Sequence, residues 1–290
     1  MQLRPSERRQ VKLRLGISGA SGFGKTKSAL YLAYGMTNDW SKIAVIDTEN
    51  SSASLYSDLG SYNVLDLTPP YSPERYIEAI SICEKANVSV IILDSITHEW
   101  NGSGGCLEIH EKLGGRFQDW GLVTPRHQAF INRILQSDCH IITTTRRKVE
   151  YDIDRDASGK LKVQKLGTKE ITKEGFEYEL TINFELINEN HLARASKDRT
   201  GLFMNQPEFI IDSLIGKKIL DWCNSGTNLQ DAKLKIKECN TLADLKILYS
   251  NYIGWRELLE YDFKKQKDTI TTKEFLLNPQ NFNTNGSLPH

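Results

Sequence analysis

Long apolar runs are missing from this sequence of 290 residues. No segment approaches the roughly 18 consecutive apolar residues that predict a membrane-spanning helix, so we expect no membrane span. The first ten residues carry several charges, and no apolar segment follows them before the first predicted strand. We therefore also expect no signal peptide.

Cysteine is scarce as well, and its spacing is uninformative. The five cysteines include no C-x-x-C pair, and their number is odd. We therefore predict neither disulfide bonds nor structural zinc, and a reducing cytosol fits this usage best. The five residues are Cys83, Cys106, Cys139, Cys223 and Cys239.

The sequence also lacks a net charge, because 37 basic residues balance 37 acidic ones. Overall charge therefore does not predict nucleic-acid binding, and any such binding would need a local basic patch. A hydrophobic fraction of 39% and a mean hydropathy of −0.44 are typical of a water-soluble globular protein. The length suits one large domain with an appendage.

A glycine-rich stretch, Gly19–Thr26, fits the pattern G-x-x-x-x-G-K-[ST]. It follows a strand pattern over residues 11–18 and precedes a helical pattern over residues 27–35, which is the context that a phosphate-binding loop requires. Backbone N–H groups and the helix N-terminus would meet the phosphates, Lys25 would reach the β- and γ-phosphates, and Thr26 would bind Mg²⁺. The predicted nucleotide contacts are Gly19, Ala20, Ser21, Gly22, Phe23, Gly24, Lys25, Thr26 and Lys27.

Apolar strand patterns alternate with helical patterns through the first half of the chain. Strands are predicted over 42–49, 62–67, 88–94 and 139–145, and helices over 73–86 and 102–138 with breaks at Gly114-Gly115 and Pro125. This alternation is typical of an α/β fold with a mostly parallel sheet flanked by helices. Asp94 ends the most apolar strand, as a Walker B carboxylate that holds Mg²⁺ would.

The pattern changes after Arg146. Residues 148–153 and 160–166 flank a turn signal at residues 156–159 and predict a β-hairpin insertion. Two more strands, over 179–187 and 191–196, complete a core that we place at residues 1–225. Charged amphipathic helices follow over residues 226–278, and residues 279–290 have a composition typical of disorder.

Ser95, rather than a glutamate, follows Asp94, whereas Glu49 follows the second strand. This disfavours the AAA+ type with a glutamate directly after the aspartate. The arrangement resembles the RecA-like P-loop ATPases, most closely the short phage RecA/RadB-like proteins of single-strand annealing recombination, described as phage nucleotide-binding AAA domain proteins. The resemblance spans residues 11–203 and rests on the segments 19–26, 46–49, 91–97, 99–100, 120–127, 145–146, 176–179 and 197–201.

The resemblance implies roles for further residues. Glu49 would activate the attacking water, and a threonine among residues 143–145, taken as Thr145, would sense the γ-phosphate. Lys197 and Arg199 would act as fingers in a neighbouring subunit's site, so a homo-oligomer, ring or filament, is expected. The implied DNA contacts lie in the basic segment that follows the predicted strand at residues 139–145: Arg146, Arg147, Lys148, Tyr151, Lys160 and Lys162.

The resemblance also implies ATP and Mg²⁺ as cofactors, single-stranded DNA as a partner, and the cytoplasm of a bacterial host as the location. A single-strand DNA-binding protein is a further candidate partner. Two other functions stay open: a nucleotide-gated recombination loader with little hydrolysis, and a P-loop phosphotransferase. Glu49 could be an ordinary loop carboxylate, Asp47 could contact a Mg²⁺-bound water or cap its turn, and the hairpin could be merely solvated. His98, Cys106 and His110 lack metal-ligand spacing.

Overall fold

The computed structural model describes residues 11–155, 161–225, 229–252 and 256–277, with the side chains of residues 149–168, 229, 257 and 274–277 outside the description. The chain divides into two compact units. One runs from Lys12 to Cys223, and the other consists mainly of the described residues beyond Cys223. The predicted disordered tail, residues 279–290, lies outside the described residues.

The larger unit is organised around one mixed, mostly parallel β-sheet. Within the described residues the sheet has nine strands in the order β3-β2-β4-β5-β1-β7-β8-β9, with β6 paired to the far part of β5. The strands are β1 (Arg14–Gly19), β2 (Ile43–Asp47), β3 (Asn63–Asp66), β4 (Val90–Asp94), β5 (His140–Arg155), β6 (Leu161–Glu170), β7 (Ile182–Leu186), β8 (Leu192–Asp198) and β9 (Phe209–Ile210).

Helices cover both faces of this sheet, as the alternating pattern predicted. The helices of this unit are α1 (Lys25–Thr37), α2 (Pro73–Lys85), α3 (Thr97–Asn101), α4 (Cys106–Lys112), α5 (Trp120–Gln136), α6 (Phe176–Glu179) and α7 (Ser213–Asn224). Buried residues of α1 and α7 pack on one face, and those of α2 and α5 on the other. The predicted α/β fold with a parallel sheet is therefore confirmed.

Strand residues alternate between these two cores because successive side chains of a strand point to opposite faces. In β2, Val45 belongs to the core with α1, whereas Ile46 belongs to the core with α2. In β4, Ile92 belongs to the core with α1, whereas Ile91 belongs to the core with α2. Burial on both faces explains why these strands are continuously apolar in the sequence.

The parallel register brings four strand ends to one edge of the sheet. Gly19 of β1 pairs with Arg146 of β5, and Asp47 of β2 pairs with Asp94 of β4. Strand β5 lies between β4 and β1, which is the order that the RecA-like resemblance predicted. Ligands of open α/β sheets bind beyond the carboxyl ends of the strands, so this edge is the place for a site.

The predicted hairpin is present, and it begins inside the sheet. Strand β5 continues past the sheet edge to Arg155 and pairs there with β6 in antiparallel orientation. The sequence analysis separated a core strand at 139–145 from a hairpin strand at 148–153, whereas the structure joins them in one strand of 16 residues.

The helical segment between β4 and β5 differs from the prediction at Pro125. Helix α5 runs through this proline without a break. The proline is exposed, whereas Val123, His127 and Phe130 on the opposite face are buried. Packing of that face maintains the helix, and the carbonyl that loses its N–H donor at Pro125 is on the solvent side.

The second unit contains α8 (Leu229–Glu238), α9 (Leu242–Asn251) and α10 (Arg256–Leu277). Its small core includes Ala232, Ile236, Leu245, Leu259 and Phe263. The predicted helical C-terminal region is confirmed for these segments. Among the helices that the structure describes, none combines the length and the apolar character needed to cross a membrane.

His140, the first residue of β5, provides a pH-dependent test of this fold. Its buried Nδ1 accepts a hydrogen bond from the Leu13 N–H at 3.0 Å, so the ring must be neutral there. Burial, with smaller contributions from Lys12 and Arg14, lowers the pKa of His140 from 6.5 to about 3. Between these values only the unfolded chain takes up the proton, so stability is lost as the pH falls through this range.

We predict that His140→Asn, which retains a hydrogen-bond acceptor, removes this pH dependence. Relative to the variant, the wild type should lose about 1.4 kcal/mol of unfolding free energy per pH unit below pH ~6.5. Urea unfolding at several pH values measures how the unfolding free energy of each protein changes with pH. Groups that titrate in both proteins contribute equally and cancel in the comparison. Equal slopes would show that the folded chain protonates His140 freely.

Candidate active site

The loop between β1 and α1 has the backbone that its glycines predicted. Gly22 and Gly24 adopt positive φ angles of 82° and 88°, in the left-handed region that favours glycine. Gly24 is also the N-cap of α1, so the helix begins at Lys25. Loop amides and the helix N-terminus therefore face the same space at the sheet edge, an arrangement suited to phosphate.

Lys25 is folded back onto this loop. Its Nζ donates hydrogen bonds to the carbonyls of Gly19, at 3.1 Å, and Ala20, at 2.9 Å. Burial lowers the pKa of Lys25 and the nearby Arg146 adds to this shift, whereas Asp94 opposes it. A phosphate anion beside Lys25 would supply the negative charge that two carbonyl dipoles supply only in part.

Two hydroxyl groups hold the carboxylate of Asp94. Thr26 Oγ1 donates to Asp94 Oδ2 at 2.6 Å, and Thr144 Oγ1 donates to Asp94 Oδ1 at 2.5 Å. A hydroxyl and a carboxylate side by side are oxygen ligands that fit Mg²⁺, which retains several waters when bound. Thr26 and Asp94 are thus close enough to contact one ion, as the sequence predicted.

The structure changes the choice among the three threonines of β5. The sequence analysis took Thr145 as the phosphate sensor, but the hydroxyl that reaches Asp94 belongs to Thr144. Thr143 Oγ1 instead donates to the Leu15 carbonyl at 3.4 Å. Thr145 is buried and pairs with Ser18 of β1, so Thr144 is the better candidate.

Glu49 is bound to Arg146 at the mouth of the site. Arg146 Nε donates to Glu49 Oε1 at 2.9 Å, and Arg146 Nη2 contacts Glu49 Oε2. Ser95 Oγ donates to the same Oε1 at 3.0 Å. The sequence analysis grouped Arg146 with the DNA contacts, whereas its guanidinium lies against the catalytic candidate because β5 turns this side chain toward β2.

Asp47 caps the loop that carries Glu49. Its two carboxylate oxygens accept hydrogen bonds from Glu49 N and Ala53 N, each at 2.6 Å. Burial raises the pKa of Asp47 to about 6, and repulsion from Asp94 adds to the rise, while the Ala53 N–H opposes it. The turn-capping alternative therefore describes the role of Asp47 in the structure.

These side chains line a cavity of about 520 Å³. Besides loop residues Ser21, Gly22, Gly24, Lys25, Thr26 and Lys27, the lining includes Ser28, Tyr31, Glu49, Ser52, Tyr56, Asp94, Arg146, His191, Ile210 and Ile211. Sequence reasoning missed the last three because they come from the segment around β8 and β9. His191 Nδ1 donates to the Phe23 carbonyl at 2.8 Å and so positions the loop.

The two finger candidates lie near a different part of the molecule. Lys197 Nζ donates to the Glu177 carbonyl at 2.7 Å, and Arg199 Nη2 donates to the Tyr178 carbonyl at 2.7 Å. Lys197 lines a second cavity, of about 430 Å³, with Arg147 and Tyr178. Within one subunit, therefore, the structure does not bring these cations into the cavity of Lys25.

The remaining DNA-contact candidates differ in their surroundings. Arg147 is half-buried and forms ion pairs with Glu170 and Glu185 at 3.5 and 3.4 Å. Lys148 is exposed at the base of the hairpin. Lys160 lies outside the described residues, as do the side chains of Tyr151 and Lys162, so these assignments stay predictions.

Comparison with known proteins agrees with this geometry. A family model described as AAA domain matches residues 11–210, from just before β1 to the end of β9. No curated protein gives a significant match. Proteins of this family generally bind and hydrolyse ATP with Mg²⁺, which accords with the loop, Thr26 and Asp94. Because the match covers more than half of the sequence, the chain belongs to the AAA domain family of P-loop ATPases.

Proposed function

We propose that this chain is a RecA-like ATPase that acts on single-stranded DNA in phage or prophage homologous recombination. The observation that carries the proposal is the continuity of β5. The part of this strand inside the sheet places Thr144 against Asp94 and Arg146 in the lining of the nucleotide cavity, and the part beyond the sheet forms the hairpin. A ligand on the hairpin would therefore act on the same strand that contacts Glu49.

ATP hydrolysis in this site would depend on positioning and electrostatics. Loop amides and Lys25 would hold the phosphates, and Thr26 with Asp94 would hold Mg²⁺, which would supply positive charge beside the negatively charged phosphates. Glu49 lines the same cavity as Asp94, and its carboxylate is bound by Ser95 and Arg146, a position that suits a base that orients water.

Arg146 controls whether Glu49 is free to act as a base. Its guanidinium binds both oxygens of Glu49, so the carboxylate has less capacity to accept a proton from water. A γ-phosphate beside Lys25 would compete with Glu49 for Arg146 and thereby free the carboxylate. The state of Glu49 would then depend on the bound nucleotide, a feature that also suits the second candidate, a nucleotide-gated recombination loader.

The hairpin supplies the DNA contacts in this proposal. Residues 146–174 contain nine basic and six acidic side chains. Such an excess is modest, and it suits phosphate contacts with little base specificity, together with stacking on Tyr151. A single-strand DNA-binding protein is a further proposed partner of the same complex.

Assembly into a ring or filament is the remaining part of the proposal. Lys197 and Arg199 are held by carbonyls of α6, remote from the cavity of their own subunit. In a head-to-tail oligomer they would enter the neighbour's cavity and stabilise charge on the transferred phosphoryl group.

We predict that Glu49→Gln lowers the kcat for ATP hydrolysis by about 10²–10⁴-fold, the usual contribution of a general base. The affinity for ATP should be retained, because the amide keeps the size of the side chain. Steady-state hydrolysis and nucleotide titration measure the two quantities, with Glu78→Gln, an exposed glutamate of α2, as the matched control. Unchanged kcat in the Glu49 variant would remove this residue from the mechanism.

We also predict that single-stranded DNA stimulates hydrolysis more than duplex DNA does. Lys148→Glu should weaken DNA binding and lower the salt dependence of log K by about one per lost phosphate contact. The control is Lys85→Glu, which changes an exposed lysine on α2 by the same charge. Hydrolysis that is indifferent to DNA in the wild type would instead favour a DNA-independent ATPase or a phosphotransferase.

A further inference from the structure

Three side chains that can ligate metal meet in the core beside the nucleotide site. Glu99, Cys106 and His127 come from three successive helices, α3, α4 and α5. All three are buried, and one ligand atom from each lies within 4.8 Å of the others. Cys106 Sγ is 3.1 Å from Glu99 Oε1, and His127 Nδ1 is 3.0 and 3.1 Å from the two carboxylate oxygens.

The charge of Glu99 requires a cation close by. Its side chain is 1% exposed, and an unpaired carboxylate at such a position is strongly unfavourable. Arg126 is a nearby basic side chain, but its Nε and Nη2 bind Glu74, at 2.7 and 2.8 Å. A metal ion among the three groups would supply positive charge beside the Glu99 carboxylate.

We propose that Glu99, Cys106 and His127 bind one Zn²⁺ ion. In a tetrahedral zinc site the distances between neighbouring ligand atoms are about 3.3–3.5 Å, given typical Zn–S, Zn–N and Zn–O bonds. The observed separations from Glu99 are only a few tenths of an ångström shorter, so small side-chain movements admit the ion. Both Glu99 oxygens face His127, so a carboxylate bound through both oxygens would complete four donor atoms in a distorted tetrahedron.

Thiolate, imidazole and carboxylate together favour Zn²⁺ over Mg²⁺, which prefers oxygen ligands and retains water. Burial raises the pKa of the Cys106 thiol, so without metal Cys106 is protonated and donates to Glu99. Binding of the ion therefore breaks the S–H bond, forms the Zn–S bond and releases the proton to solvent.

Aromatic rings enclose the cluster. Trp100 packs edge-on against the His127 ring, with centroids 5.6 Å apart, and Trp120 stacks on Trp100 at 5.6 Å. The two tryptophans thus pack within the protein, and their stacking restricts access of water to the cluster. An apolar shell of this kind strengthens the binding of an ion to its ligands.

The ion would also support the nucleotide site, because α3 follows the Walker B strand directly. Thr97 Oγ1 accepts the Arg146 N–H at 2.9 Å, and His98 Nδ1 lies 2.8 Å from Thr48 Oγ1. Tying α3 to α4 and α5 therefore restrains Arg146 of β5 and the loop that carries Glu49. This structural role holds whether or not the protein acts on DNA.

The test is metal analysis of the full chain, purified and dialysed against buffered zinc. We expect about one tightly bound zinc per chain. Cys106→Ser and His127→Gln should each lose this zinc, whereas Cys83→Ser, which alters another buried cysteine, should retain it. Zinc removal with a chelator should lower the Tm of the wild type and of Cys83→Ser, but not that of the two ligand variants.

Cobalt substitution tests the wild-type chain without any variant. Co²⁺ should produce a thiolate-to-metal charge-transfer band and the strong visible absorption of a tetrahedral ion, and Zn²⁺ should abolish both. A wild-type chain without bound zinc, or Co²⁺ spectra without a thiolate band, would show that the three side chains only hydrogen bond to one another. Zinc retained fully by Cys106→Ser and His127→Gln would place it elsewhere, and each of these results overturns the proposal.

Discussion

The active site depends on one hydrogen bond, from Thr26 Oγ1 to Asp94 Oδ2, which joins groups 68 residues apart in the sequence. The bond exists because β5 lies between β1 and β4 in parallel register, with Gly19 opposite Arg146 and Leu93 opposite Thr143. The phosphate-binding loop and the carboxylate of Asp94 then share one edge of the sheet. Every other function of the site is built on this juxtaposition.

Arg146 connects that edge with the rest of the molecule. It ends the part of β5 inside the sheet, binds Glu49 across the cavity, and is the residue after which the strand enters the hairpin. In the proposed mechanism an incoming phosphate would compete with Glu49 for the positive charge of Arg146. Arg146 would then have two positions, and this would couple DNA bound on the hairpin to water activation in the cavity.

Local patterns were sufficient to predict much of this site and not the rest. The glycine loop, Asp94 and the hairpin follow from residues close in sequence, because loop and strand signals are local, whereas the role of Glu49 is implied only by the RecA-like resemblance. The choice of Thr144 over Thr145 depends on which face of β5 meets Asp94, and the pairing of Arg146 with Glu49 depends on the order of strands. The Glu99, Cys106 and His127 cluster escaped detection because its spacing matches no motif and three helices must pack to form it. At Pro125, tertiary packing maintains helix α5 although proline is a helix-breaking signal.

The most direct test of the central claim is a titration with a non-hydrolysable ATP analogue, with and without Mg²⁺, on the wild type and on Asp94→Asn. If Thr26 and Asp94 jointly hold the metal of a bound nucleotide, Mg²⁺ should tighten binding to the wild type. The variant should lose that gain, with a Kd higher by about tenfold, or about 1.4 kcal/mol. Binding that is equally tight in both proteins and indifferent to Mg²⁺ would contradict the assignment of this edge as a metal-dependent nucleotide site.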